Sequence, residues 1–122
     1  MKATLTQNVN NAAYTTFGPF LVEKNDSGIA VDIENGGANA LASVAVDIQE
    51  TTDGEFWTIL QDADFASTSS VMPLVSGTRP DTLAAGAKSH FQLQIPVCWA
   101  IQVRVKGSNA TPGAVTVRTL GR

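Results

Sequence analysis

The chain has one cysteine, Cys98, and one histidine, His90, among 122 residues, and only 16% of them are charged. A lone cysteine excludes an intramolecular disulfide, and inside an apolar run it reads as a buried, unreactive thiol. One histidine and one cysteine exclude a zinc site built on close His/Cys spacing. His90 alternates with Phe91 and falls on a polar side, which makes it a solvent-facing side chain rather than a general base. The charged fraction lies below the roughly 25% of ordinary soluble domains. With a net charge of -3 there is no general attraction to phosphate backbones or anionic lipids, so neither nucleic acid nor a membrane is expected as a partner. No apolar run approaches the about 20 residues of a membrane-spanning helix. The stretch Ala3 to Ala13, which holds Gln7, Asn8, Asn10 and Asn11, has no apolar core of signal-peptide length, so the chain is expected to fold in a cytoplasm.

Catalytic signatures are missing too. There is no Gly-rich phosphate loop, nucleophile elbow or paired-carboxylate cleft, and no enzyme activity or cofactor is expected. Asp62 and Asp64, with Asp53 or Glu55, have the oxygen chemistry of a calcium site. Loop aspartates more often solvate a turn and cap backbone amides, and that reading is preferred, so no metal is expected.

What the chain does have is alternation. Val44, Val46 and Ile48 alternate with Ser43, Ala45, Asp47 and Gln49, a period of two that puts one face on a core and the other in water. Ile29, Val31 and Ile33 repeat it, as do Phe91, Leu93 and Ile95, then Trp99, Ile101, Val103 and Val105, then Val115 and Val117. The opposite faces carry Gln92 and Gln94, then Gln102, Arg104 and Lys106, then Thr116 and Arg118. Trp57 and Trp99 share faces with Ile and Val and read as core. Tyr14 to Lys24 reads as an irregular strand broken at Gly18-Pro19, suited to a bulge or an edge. Asn25 to Gly28 has hairpin-turn chemistry, and Thr52-Asp53-Gly54 separates a strand ending near Glu50 from one reaching Leu60. Val71 to Val75, with Pro73, reads as an edge strand or connector. The fold class is therefore all-β: an antiparallel β-sandwich, immunoglobulin-like or jelly-roll-like, in a single domain over residues 13–122. Residues 1–12, polar and without periodicity, read as a short N-terminal arm whose removal leaves the domain's unfolding nearly unchanged.

Charge divides along the chain. Residues 1–61 carry two basic and eight acidic side chains, and residues 62–122 six basic and three acidic. Pairing of acidic with basic strands inside the fold is the preferred account. An acidic face on one copy meeting a basic face on another is the alternative.

Two resemblances follow. Val31 to Leu41, Val-Asp-Ile-Glu-Asn-Gly-Gly-Ala-Asn-Ala-Leu, with Val44 to Ile48, resembles the opening strands of immunoglobulin-like sandwich modules. Thr82 to Leu93 is similar to the Leu-x-x-Gly approach to a later strand of the same modules. The closing segment, Ala100 to Ser108 and Gly113 to Arg118, resembles small tailed-phage virion proteins, including capsid decoration or cement proteins. That family implies a non-enzymatic sandwich, usually oligomeric, that sits on an assembled shell and reinforces contacts between coat subunits. The expectation is a virion protein assembled in the host cytoplasm, with the major capsid protein or other virion subunits and further copies of itself as partners. The alternative is a glycan- or cell-surface-binding module of a phage tail or adhesin. Partner contacts are expected on the arm and the two long loops, at Thr4, Leu5, Val9, Phe65, Arg79 and Leu83. Phe65 stands out as an apolar side chain in a polar loop, free to plug under it or to anchor a partner.

Overall fold

The structure is a computed structural model that describes residues 1–11, 13–23, 25–50, 58–60, 74–77, 82–94, 100–108 and 110–122. Nine strands are formed by these residues: β1 Lys2–Val9, β2 Thr15–Leu21, β3 Gly28–Asn35, β4 Leu41–Glu50, β5 Thr58–Leu60, β6 Leu74–Gly77, β7 Lys88–Gln94, β8 Ala100–Gly107 and β9 Gly113–Gly121. They make two antiparallel sheets, one ordered β1-β9-β3-β7-β6 and the other β2-β8-β4-β5. β1-β9-β3-β7 facing β2-β8-β4-β5 is the strand order of a jelly roll.

That order settles which sandwich the alternation builds. β2 and β3 lie in different sheets, and so do β3 and β4, so neither Asn25 to Gly28 nor Asn35 to Ala40 closes a hairpin. The immunoglobulin-like connectivity implied by the first resemblance is replaced by crossings from sheet to sheet. Hairpin pairing does join β4 to β5, with Ile48 opposite Leu60, and β6 to β7. Period-two patterning specifies a face and not a neighbour, so it fits either connectivity equally well.

The core fills the space between the sheets. Phe17 and Phe20 come from β2, Ile29, Val31 and Ile33 from β3, Phe91 and Leu93 from β7, and Ile101, Val103 and Val105 from β8, each at most 3% exposed. Burying side chains of this size contributes about 1.5–3 kcal/mol apiece. β2 is an edge strand whose register shifts between Phe17 and Phe20, around a cis Gly18-Pro19 bond, as the Gly-Pro pair predicts. β6 is the edge strand expected near Val71 to Val75.

Asn35 fixes the crossing from β3 to β4. Fully buried, it donates through its side-chain amide to the carbonyls of Asn39 (2.9 Å), Leu83 (3.2 Å) and Ala84 (3.3 Å), and accepts from the Gly37 N–H. Gly37 passes so close to the chain at Pro112 that a Cβ would stand 1.8 Å from its carbonyl oxygen. One polar side chain thus ties the corner to the segment around Leu83, which also forms a bridge with Leu41.

The arm takes a different form from the one its composition suggests. Lys2–Val9 pairs with β9 along its whole length, from Lys2 opposite Leu120 to Val9 opposite Gly113, and is the first strand of the five-stranded sheet. Val9 is 1% exposed and belongs to the core. The boundary at residue 12 therefore does not separate an arm from the domain.

Candidate functional site

The side chains of β1 alternate between two faces. Lys2, Thr4, Thr6 and Asn8 are exposed on the outer face of the five-stranded sheet, Ala3 and Gln7 are half-buried beneath it, and Val9 is enclosed. Leu5 points inward too, yet remains 37% exposed, because a residue under the last strand of a sheet has a neighbour on one side only.

The backbone direction follows from the ladder. The Gly121 N–H donates to the Met1 carbonyl at 2.7 Å, which makes Met1/Gly121 a hydrogen-bonded pair. Such pairs alternate along an antiparallel ladder, so Ala3, Leu5, Gln7 and Val9 turn their N–H and C=O groups toward β9. Gly28 and Arg122 exchange bonds on the opposite side of β9, as the same alternation requires. The backbone groups of Lys2, Thr4, Thr6 and Asn8 consequently point away from the sheet, where no strand among the described residues pairs with them.

Natural sheets blunt such edges with short strands, proline, bulges or charge. Among the described residues the other edges follow that rule: β2 holds Pro19, which has no N–H, and a register shift, while β5 and β6 are described over three and four residues. β1 runs eight residues without proline or bulge, and Lys2 is its one charge. Gln7 fastens it to the other sheet by donating to the Thr16 carbonyl at 2.9 Å.

Beside this edge lies a polar face arranged in rows across the strands. Thr4, Arg118, Asp32 and His90 form one row; Thr6, Thr116, Glu34 and Lys88 form the next. The hydroxyls of Thr6 and Thr116 are 2.9 Å apart. Glu34 receives Arg118 at 3.3 Å and Lys88 at 3.8 Å, and Asp32 contacts the His90 ring. The acidic strand β3 thus sits between basic β7 and β9, the arrangement favoured from the charge division. His90 is about half exposed, on the polar side. Open depressions flank the Asp32–His90 pair, one bordered by Glu34 and Lys88, the other by Lys2, Thr4 and Leu120.

The outer face of the four-stranded sheet is organised differently. Asp47 on β4, expected in water, is fully buried. Arg104 on β8 holds it with two bonds, Nε to Oδ2 at 2.5 Å and Nη2 to Oδ1 at 3.0 Å, and Gln102, 7% exposed, donates to Oδ2 at 2.6 Å. The hydrogen bonds from Arg104 to Asp47 raise the arginine above its ordinary value, against the opposing effect of burial. Tyr14 covers the cluster: its ring centroid is 4.6 Å from the Arg104 guanidinium and 5.0 Å from the Lys106 ammonium, and its hydroxyl meets Ser43 at 2.8 Å. With both oxygens of Asp47 occupied, the group is a clamp rather than a base.

The expected contact residues divide accordingly. Thr4 and Leu5 lie together on the free edge. Val9 and Leu83, at 1% and 7% exposure, are core and cannot touch a partner. Phe65, Arg79, Trp57, Trp99, Cys98 and the candidate calcium carboxylates Asp53, Glu55, Asp62 and Asp64 lie outside the described residues. Among the described residues, no three His, Cys, Asp or Glu side chains are placed to share a metal ion, and no helix is long and apolar enough to cross a membrane. Thr6, Asn8 and the Asp47 clamp were missed from sequence, because the edge is set by pairing with β9 and the clamp by Arg104, both far along the chain. Compared with known proteins, the chain matches no family model and no curated sequence.

Proposed function

We propose that this protein is a structural virion subunit of the capsid decoration, or cement, type, which attaches to the major capsid protein of an assembled phage head and catalyses nothing. The observation that carries this reading is the open edge of β1. Four of its eight residues, Lys2, Thr4, Thr6 and Asn8, turn their backbone groups outward, unprotected among the described residues by proline, bulge or a spread of charges, which suits a unit that is completed by other protein chains. The closing strands β8 and β9 supply the likeness to tailed-phage virion proteins. Jelly rolls occur in viral capsid domains and in lectins alike, so the strand order supports assembly and sugar binding equally, and the edge tips the balance.

Mixing the protein with purified empty heads and pelleting the particles tests the proposal. It should co-sediment at a fixed ratio to coat subunits and show no retention on immobilised glycans. A chain that stays in the supernatant but is held by a sugar is a glycan-binding module, and the decoration reading falls.

A further inference from the structure

We propose that a second copy of this chain pairs antiparallel with β1, with Leu5 of both copies on the two-fold axis, joining two five-stranded sheets into one continuous sheet. The inference rests on the assembly reading in taking β1 as the assembling edge, but it concerns the protein alone and requires no capsid.

The hydrogen-bonding parity of the edge selects the register. Only Lys2, Thr4, Thr6 and Asn8 offer backbone groups outward, so a two-fold pairing must set these residues opposite one another. Centring on Leu5 places Lys2 opposite Asn8 and Thr4 opposite Thr6 of the second copy, and every outward N–H and C=O from Lys2 to Asn8 finds a partner. Centring on Thr4 leaves Asn8 without an opposite number in the second β1. Centring on Thr6 sets Lys2 against Asn10, whose carbonyl already accepts from the Gly107 N–H at 2.8 Å.

Side chains agree with that register. The two Leu5 residues meet at a non-hydrogen-bonded position, where antiparallel strands approach to about 4.5 Å between Cα atoms and side chains pack most closely. The contact covers the 37% of Leu5 that the lone sheet leaves open. Thr4 opposite Thr6 repeats the threonine pair that β1 already makes with β9 through Thr6 and Thr116. Lys2, the one charge of the strand, faces neutral Asn8, so no like charges oppose each other across the seam. The pattern of small or polar residues about Leu5 is nearly palindromic, a property a two-fold pairing uses and a foreign strand does not need.

Sedimentation equilibrium of the full chain across a concentration series should give a dimer. Thr6→Pro removes an outward N–H that the ladder with β9 does not use, so the sheet signal in circular dichroism should be kept. Each dimer loses two seam bonds, and the dissociation constant should rise about 10- to 100-fold. Leu5→Lys, which sets two ammonium groups on the axis, should give a monomer. In a Cys98→Ser background, Leu5→Cys should form a disulfide-linked dimer in air, while Asn8→Cys should not. A wild-type chain that stays monomeric, or a dimer indifferent to Thr6→Pro and Leu5→Lys, overturns the pairing and leaves co-sedimentation with heads unaffected. A chain that dimerises through β1 but never pellets with heads keeps the pairing and removes the decoration reading.

Discussion

Two arginines show how differently a salt bridge behaves at the two outer faces. Arg118 reaches Glu34 from a half-exposed position, where such pairs contribute between zero and about 1 kcal/mol. Arg104 is 13% exposed and holds a fully buried Asp47. Arg104→Ala removes two charge-assisted hydrogen bonds from that buried carboxylate, and should lower the unfolding free energy by about 3 kcal/mol. Arg118→Ala should change it by no more than about 1 kcal/mol, both read from urea denaturation. Equal effects would contradict the assignment of one pair to the interior and the other to the surface. At this scale the sequence was partly legible. His90 stands on the polar side, as its alternation with Phe91 predicts. Asp47 obeyed the same alternation and was misread, because period two tells which face a side chain takes and not whether that face is itself enclosed. The role of Asn35 was equally hidden, since its partners near Leu83 are almost 50 positions away.

Among the elements, β1 departs most from expectation. Its inward positions are Ala3, Leu5, Gln7 and Val9, of which Val9 alone is a fully buried apolar side chain, so hydrophobic periodicity is thin. What makes it a strand is the ladder with β9, more than 100 residues away, and a long-range partner leaves no mark on local patterning. By contrast, β3 buries Ile29, Val31 and Ile33 and β9 buries Val115 and Val117 in strict alternation, and these runs could be read directly. The structure reverses one consequence of the arm reading. Removing residues 1–9 deletes a core valine and exposes the edge of β9, so the thermal midpoint of the free domain should fall by about 5–10 °C. An unchanged midpoint would mean that Lys2–Val9 adds nothing to the folded sheet.

For the whole molecule, the fold class followed from alternation and turn residues, while strand order did not, because hairpin and cross-sheet connections use the same Asn, Gly and Asp chemistry. The jelly-roll order converts the division of charge along the chain into internal pairing: acidic β3 lies between β7 and β9, and opposite charges meet within one molecule. On the proposed reading, assembly then rests on backbone and shape more than on these charged rows, and the weight falls on the β1 edge. The candidate site was legible only through Thr4 and Leu5. Their neighbours Thr6 and Asn8 join them through backbone parity, which depends on register with β9 and so on the folded sheet. A decoration protein acts by reinforcing contacts between coat subunits, and that effect is directly measurable. Phage heads with which the protein co-sediments should be melted in a calorimeter with increasing amounts of the protein. The account predicts a rise in the particle transition that saturates at a fixed ratio of protein to coat subunit; a transition that stays where it is at every ratio would contradict it.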